Sequence, residues 1–325
     1  MAPQLLAAKP KKDRRPVALL LPLTGPRAAL GVSMERAARL AENDAALMIA
    51  FDTAGTAEGA SRAAALAVKR GAAMLLGPLT MYEAAAAAGA APGVPMIAFT
   101  NNPAAALNGA YVFGLTAQQT TSAVLRYARS RGVKSVVVVG DGTAWGTAAS
   151  DSASRLQNEL GLDIRSVTVV PGQPLPAAGD PPDAVLVPGT QATVIAAARG
   201  LKETGIQLLG TVQALDNRPS ALEALEGAWI ASPDPEKFGS FSADYEAKNG
   251  GGAGALAALA FDAAGIAKRL RADNRLGREG LLGTESFACV TGAARFRTDG
   301  SVARDLAILV AERDGYRTVA TSRGA

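Results

Sequence analysis

Three short stretches carry the residue types that could hold a small molecule: Leu75–Thr80 (LLGPLT), Val94–Pro103 (VPMIAFTNNP) and Gly140–Gly146 (GDGTAWG). Thr80, Thr100, Asn101 and Asn102 each follow an apolar run, and Thr24 follows another in VALLLPLTGP. Their hydroxyls and amides can donate and accept hydrogen bonds, but none is a strong acid, base or thiol. That chemistry holds a ligand and does not transform one. The chain has no histidine and one cysteine, Cys289, so His-dependent nucleophilic triads, most metal sites and an intrachain disulfide are excluded. In Ser-Phe-Ala-Cys-Val that cysteine reads as a packed core residue. Gly140-Asp141-Gly142 follows a strand, but it is neither a dinucleotide fingerprint nor a P-loop. We expect no catalytic residue, no metal and no cofactor.

The elements that must position these groups follow from the apolar runs. Met74–Leu76 and Pro95–Phe99 are short, continuous and bounded by Gly and Pro, which is the pattern of strands buried on both faces. The Ala-rich segment Tyr82–Ala91 between them is long enough for a crossover helix. In open parallel sheets ligands sit outside the carboxyl ends of the strands, where Thr80, Thr100, Asn101 and Asn102 fall. The same strand, loop, helix order opens the chain: strand Val17–Leu21, helix Ala28–Leu47, strand Met48–Phe51 and helix Thr56–Arg70, capped by Thr53 or Thr56. Thr24 reads equally as a ligand donor or as a helix cap. After Tyr111–Leu115 a second rhythm begins, with strands at Ser135–Val139, Ile164–Val170, Ala184–Val187 and Gln207–Gly210 and helices Thr120–Arg131, Thr147–Leu160 and Gln191–Glu203. The Pro/Gly-rich stretch Pro171–Pro182 reads as a linker. A strand at Ala228–Ala231 and helices Glu236–Lys248 and Ala255–Arg271 follow. The end carries an antiparallel signal in Ala293–Phe296 and Asp305–Glu312, with an Asp-Gly turn at Phe296–Ser301.

At 325 residues with 49% hydrophobic content the chain can build about two domains of ~150 residues each. Two consecutive βαβ sets, with the chain returning to the first, predict an α/β fold of two doubly wound, Rossmann-like lobes with a ligand cleft between them. One continuous Rossmann-like sheet is the alternative. We expect a flexible leader over 1–15, lobe I over 16–116 plus 234–296, and lobe II over 117–233 plus 297–325. The formal charge of +4 is partly the Lys9–Arg15 cluster, and no recognition motif points to nucleic acid. No apolar run reaches the ~18 residues of a membrane span.

The residues also resemble a known family. VALLLPLTGPRAALG, LLGPLT, VPMIAFTNNP, VVVVGDGTAWG, FSADYEAKNG and the Phe-Arg-x-x-Asp-Gly turn at Phe296–Gly300 are similar, in this order and spacing, to the type I periplasmic binding proteins of the leucine/isoleucine/valine class. The opening, the AFTNN loop and FDAAGIAKRL also resemble the penicillin-binding protein activator, or LppC-like, branch. The resemblance implies a periplasmic, non-enzymatic receptor that closes on an amino-acid-like ligand, with an ABC transporter permease as partner. The other branch implies an envelope regulator that activates a peptidoglycan synthase, and a Rossmann-like enzyme is the remote alternative. The first residues lack the apolar core of a signal peptide, so we expect either a cytoplasmic chain or one whose export signal, with a candidate lipid anchor, belongs to a longer precursor. Carried over residue by residue, the first lobe's ligand positions are Thr80, Met81, Thr100, Asn101 and Asn102. Trp145 supplies an aromatic wall from the second lobe, and Gln213 or Asp216 its acidic position. Met81 stands where amino-acid binders place serine, and Gln118 or Gln119 where an acid would face an ammonium. The missing carboxylate removes a charge-assisted bond of roughly 1.5–3 kcal/mol.

Overall fold

The computed structural model describes residues 13–168 and 180–325. The chain begins β1 (Val17–Leu21), α1 (Ala28–Ala41), β2 (Met48–Asp52), α2 (Ala57–Lys69), β3 (Met74–Leu76), α3 (Met81–Ala90) and β4 (Met96–Ala98); a 3-10 helix (Pro103–Asn108) then leads to β5 (Ala110–Val112). It continues with α4 (Ala117–Ser130), β6 (Ser135–Gly140), α5 (Ala144–Leu160), β7 (Asp163–Thr168), β8 (Ala184–Val187), α6 (Gln191–Leu201), β9 (Gln207–Gly210), α7 (Pro219–Leu225) and β10 (Trp229–Ser232). Last come α8 (Pro235–Asn249), α9 (Ala255–Ala272), α10 (Arg278–Leu282), β11 (Ala294–Phe296), β12 (Val302–Arg304), β13 (Leu306–Glu312) and β14 (Gly315–Ser322).

These elements form two compact units. Unit 1 holds the chain up to Gly114 with Ser242–Phe287 and Arg295–Val302, and unit 2 holds Leu115–Phe241, Ala288–Ala294 and Ala303–Ala325. The unit 1 sheet runs β2-β1-β3-β4-β5, all parallel. Its three inner strands are wholly apolar because both faces are covered: β1, β3 and β4 are buried throughout. Small residues bring the helices close. Ala60, Ala63, Ala64 and Ala67 of α2 pack with Ala84 and Ala87 of α3 over Ala18, Leu20 and Leu75. Gly31 of α1 touches the loop after β1 so tightly that a Cβ there would lie 2.1 Å from the Pro22 carbonyl oxygen.

The unit 2 sheet runs β14-β13-β10-β9-β8-β6-β7. Its five strands from β10 to β7 are parallel, and β13 and β14 add an antiparallel edge beside β10. The antiparallel signal at the chain's end is therefore divided. The Asp299-Gly300 turn, with Asp299 Oδ1 accepting from Ser301 N at 2.9 Å, joins β11 to the short β12 in a two-stranded sheet. The longer β13 pairs with β10 and with β14, across a second Asp-Gly turn at Asp314-Gly315.

Two other expectations are corrected. Helix α1 stops at Ala41 and not at Leu47, since Asn43-Asp44 lets the chain turn, with Asp44 Oδ1 accepting from Ala46 N at 2.8 Å. Helix α5 begins at Ala144, three residues earlier than Thr147, because Thr143 is its N-cap and accepts from Gly146 N at 3.0 Å. The expected flexible leader lies outside the described residues as far as 12, but Asp13 and Arg15 are held: Asp13 N donates to Asn274 Oδ1 and Arg15 Nη2 to the Leu276 carbonyl. The expected linker lies outside the described residues over 171–179.

Candidate functional site

In a doubly wound sheet the loops diverge where strand order reverses, and the crevice there receives ligands. In unit 1 this point lies between β1 and β3, and in unit 2 between β6 and β8. Two of the expected residues, Thr24 after β1 and Thr80 after β3, flank the unit 1 switch point.

Thr24 is held by Asp52 at the end of β2. Asp52 Oδ1 accepts from the N–H groups of Leu23 (2.8 Å), Thr24 (3.1 Å) and Ala54 (2.8 Å), and Oδ2 accepts from the Thr24 hydroxyl at 2.6 Å. Burial raises the Asp52 pKa, but the Thr24 hydroxyl and the three backbone donors outweigh it and hold the carboxyl below its ordinary 3.8. Thr24 is thus a loop anchor; it does not cap α1, whose N-cap is Arg27.

Thr80 caps α3 in a reciprocal box with Glu83. Its hydroxyl accepts from Glu83 N at 3.3 Å, while Glu83 Oε2 accepts from Thr80 N (3.1 Å) and from the Thr80 hydroxyl (2.8 Å). Glu83 is 1% exposed, and its Oε1 accepts from the equally buried Thr53 hydroxyl at 2.8 Å. One buried carboxylate therefore ties the ends of β2 and β3 together. The first amides of a helix have no partner inside it, so those of Met81 and Tyr82 face the switch point. The Met81 side chain packs, partly buried, against the unit 1 core. Thr100 is buried and accepts from Asn102 N at 3.1 Å, and Asn102 caps the 3-10 helix by accepting from Ala104 N at 2.9 Å. Asn101 is exposed beside them.

In unit 2 the loop after β6 is organised by Asp141, whose Oδ1 accepts from Thr143 N (3.1 Å) and its hydroxyl (2.6 Å). Asp141 also approaches the loop after β8: a Cβ on Gly189 would meet Asp141 Oδ2 at 2.8 Å. Trp145 stands in the first turn of α5, half-buried, with its indole Nε1 shielded and without a hydrogen-bond partner. Gln118 is exposed, whereas Gln119 is buried and boxes the N-terminus of α4 by accepting from Thr116 N at 3.0 Å. Gln213 is exposed on a 3-10 turn after β9, its N–H held by Thr211. Asp216 is buried, and Arg218 grips it with Nε at 2.9 Å and Nη2 at 2.5 Å. That guanidinium, with the Arg218 N–H, holds the Asp216 carboxyl below its ordinary value. Tyr316 adds a clasp on the backbone: its hydroxyl accepts from Asp216 N at 2.9 Å and donates to Asp216 O at 3.0 Å.

A family model described as periplasmic binding protein matches residues 16–315, which spans both units and every strand-end loop above. The chain belongs to that family. No curated protein matches it in sequence. Among solved structures, a putative branched-chain amino acid ABC transporter protein from Rhodospirillum rubrum is 22% identical, with 93% of this chain and 99% of that one covered and a TM-score of 0.76. The C-domain of LpoA from Haemophilus influenzae, a regulator of PBP1A, is 16% identical over 94% and 99%, also with a TM-score of 0.76. The leucine-binding protein LivK from Thermotoga maritima is 20% identical over 95% and 99%, with a TM-score of 0.60. At these identities the likeness shows the fold of a type I periplasmic binding protein.

For a periplasmic binding protein, the loops of unit 1 thus bring Thr24, Thr80 and Met81 to one switch point, with Thr100, Asn101 and Asn102 after the next strand. In unit 2, Trp145 stands at the switch point, whereas Gln118 lies on α4 and Gln213 and Asp216 follow β9. Sequence reading missed Asp52, Glu83, Asp141 and Arg218. Thr80-Met81-Tyr82-Glu83 carries a capping-box pattern that could have revealed Glu83. Asp52 ends β2 and Asp141 directly follows β6, which is their visible signal.

Proposed function

We propose that this chain is a non-enzymatic, extracytoplasmic solute-binding protein that takes a small polar, amino-acid-like ligand for transport or sensing. One observation carries the reading. Each sheet has, at its switch point, a helix N-terminus capped by a threonine, with α3 behind Thr80 and α5 behind Thr143. The amides of Met81 and Tyr82, and those of Ala144 and Trp145, are left for a carboxylate or other polar group, as at helix N-termini generally. Thr100, Asn101 and Asn102 add polar groups in unit 1, and the Trp145 indole adds an aromatic face and a donor in unit 2. Gln118, Gln213 and Asp216 are secondary positions, and Asp216 reaches a ligand ammonium only by sharing its charge with Arg218. The partner on this reading is an ABC transporter permease, and the compartment is the periplasm.

A second reading has its own support. The groups expected to hold a ligand are engaged within the protein: Thr24 with Asp52, Thr80 with Glu83 and Asp216 with Arg218. A regulator that docks on a peptidoglycan synthase would keep the fold and need no free ligand groups.

The test is a thermal-shift and calorimetric screen of amino acids, small carboxylates and peptidoglycan fragments, repeated on Asn101→Ala and Trp145→Ala. A stabilising ligand weakened by both substitutions supports the receptor. A protein indifferent to every compound, yet enriching a penicillin-binding protein from envelope extract, supports the regulator.

A further inference from the structure

The net charge of this protein has one address. Lys9, Lys11, Lys12, Arg14 and Arg15 against Asp13 make up the whole formal excess of +4, and the remaining 28 cations and 28 carboxylates cancel. Where that segment enters the fold, unit 1 collects more cations. Asp13 is bound to Asn274, just past α9, and the Pro16 carbonyl accepts from Ala73 N at the start of β3. This is the amino edge of the sheet, opposite the loops described above. Helices that run back against the strands end here and deliver Lys69 and Arg70 from α2 and Lys248 from α8. Lys268 donates from α9 to the Ala41 carbonyl at the end of α1 at 2.8 Å.

Part of this charge is neutralised locally, Arg15 by Asp13, Arg269 by Asp273 and Arg271 by Glu42. Among the described residues no carboxylate pairs with Arg14, Arg36, Lys69, Arg70, Lys248 or Arg275, and all six are exposed. Asp44 stands against them as an exposed acid. Cations in a last helical turn complement the helix dipole, which accounts for Lys69 and Lys248. It does not account for Arg14, Arg36 or Arg275. Between α1 and α8 the same rim holds a groove of about 350 Å³ lined by Glu35, Arg36, Arg39, Leu40, Lys248 and Asn249. Arg39 is fixed there by Glu35 and the Met48 carbonyl, so Arg36 and Lys248 are the free cations at its mouth.

We infer that this amino-edge rim docks on an anionic phospholipid surface, with the Arg36–Lys248 groove seating one phosphodiester headgroup. Cations spread along several helix ends fit a charged sheet of lipid better than a small anion, and no helix of the described residues is long and apolar enough to cross a membrane. The inference is independent of what the strand-end loops bind.

The test is co-sedimentation of the full chain with vesicles of phosphatidylcholine alone or with about three-tenths phosphatidylglycerol. Binding is expected only to the anionic vesicles, lost between about 0.05 and 0.3 M salt. Each basic residue removed is expected to weaken it about fivefold. Arg36→Glu with Lys248→Glu therefore costs at least tenfold, while Arg199→Glu with Lys202→Glu in unit 2, an equal change of net charge, costs less than twofold. Unchanged melting of both variants shows that folding is not the cause. Equal binding to neutral vesicles, equal loss in both variants, or equal competition by polyglutamate and single-stranded DNA would overturn the inference. The last would assign a general polyanion face instead.

Discussion

Removing the Glu83 carboxylate should damage unit 1 far more than its position in a helix's first turn suggests. In Glu83→Ala the capping box is lost, worth about 1 kcal/mol. The Thr53 hydroxyl, 0% exposed, keeps only its weaker role as acceptor from Gly55 N at 3.2 Å and loses its acceptor for the proton. A buried donor without a partner costs about 1–3 kcal/mol, and the vacated space adds to this, so the total is about 3–5 kcal/mol. In Glu83→Gln the amide can donate to Thr53 while its oxygen still accepts from Thr80. Charge assistance is lost and the Thr53 proton must turn to another acceptor, but the capping box and the filled space remain, so the cost is about 1–3 kcal/mol. At roughly 2–4 °C per kcal/mol the alanine variant should melt about 10 °C lower and the glutamine variant a few degrees lower.

The assay can resolve the two units. Both tryptophans, Trp145 and Trp229, lie in unit 2, so their fluorescence follows that unit while far-ultraviolet circular dichroism follows both. The substitution should move the dichroism transition first. An alanine variant within 1 °C of the parent in both signals would refute the network, and a glutamine variant as damaged as alanine would refute the role assigned to the charge-neutral shape.

Four further outcomes follow from the geometry. Gly31→Ala drives a Cβ to 2.1 Å from the Pro22 oxygen and should destabilise by about 2–3 kcal/mol, whereas Gly265→Ala in α9, with nothing within 4 Å, should stabilise by about 0.5–1 kcal/mol; urea melts compare them. Trp145→Phe removes a shielded, unpartnered indole donor and should leave stability equal or higher, yet weaken any ligand that accepts from it, which melting and calorimetry read separately. Asp52, Asp183, Asp216 and Asp299 all have folded pKa values below the ordinary 3.8, so the stability they contribute is fully present above that value. It should fall as pH drops below about 4 through the folded values, and a melting series from pH 7 to acid should show the loss beginning there. Tyr316→Phe frees both backbone groups of Asp216 and should lower stability by about 1–2 kcal/mol without changing the Arg218 pair, measured by thermal melting.

The frame was legible because the central parallel strands are continuous apolar runs. VALLL, MLL, SVVVVG and AVLV announce strands covered on both faces, and the Ala-rich segments between them can only be helices that lie close on the sheet. Local grammar was legible where one residue sets it, as with Thr56 capping α2. Gly142-Thr143 reads as a turn and so leaves Trp145 before the expected helix start at Thr147; the threonine is in fact the cap that starts the helix. The last hairpin is hidden because two Asp-Gly turns lie close together and the first alone accounts for an antiparallel pair. Partners far apart in sequence were beyond reach. Nothing near Asp216 signals Tyr316, one hundred residues later, and nothing near Thr53 signals Glu83.

The same long-range partners bear on the choice between receptor and regulator. A ligand group competing for Thr80 must displace bonds to a buried carboxylate, and one competing for Asp216 must displace a guanidinium. Each exchange costs about what it returns, so these side chains contribute little net affinity. The groups left with something to gain are the first amides of α3 and α5, the exposed Asn101 and the indole N–H of Trp145. A receptor on this fold must therefore bind through backbone and amide dipoles, which favours a carboxylate or neutral polar ligand over one recognised by its ammonium. Titrating an amino acid against its des-amino carboxylate decides the point. Equal or tighter binding of the des-amino compound agrees with this reasoning, and a tenfold preference for the amino acid refutes it.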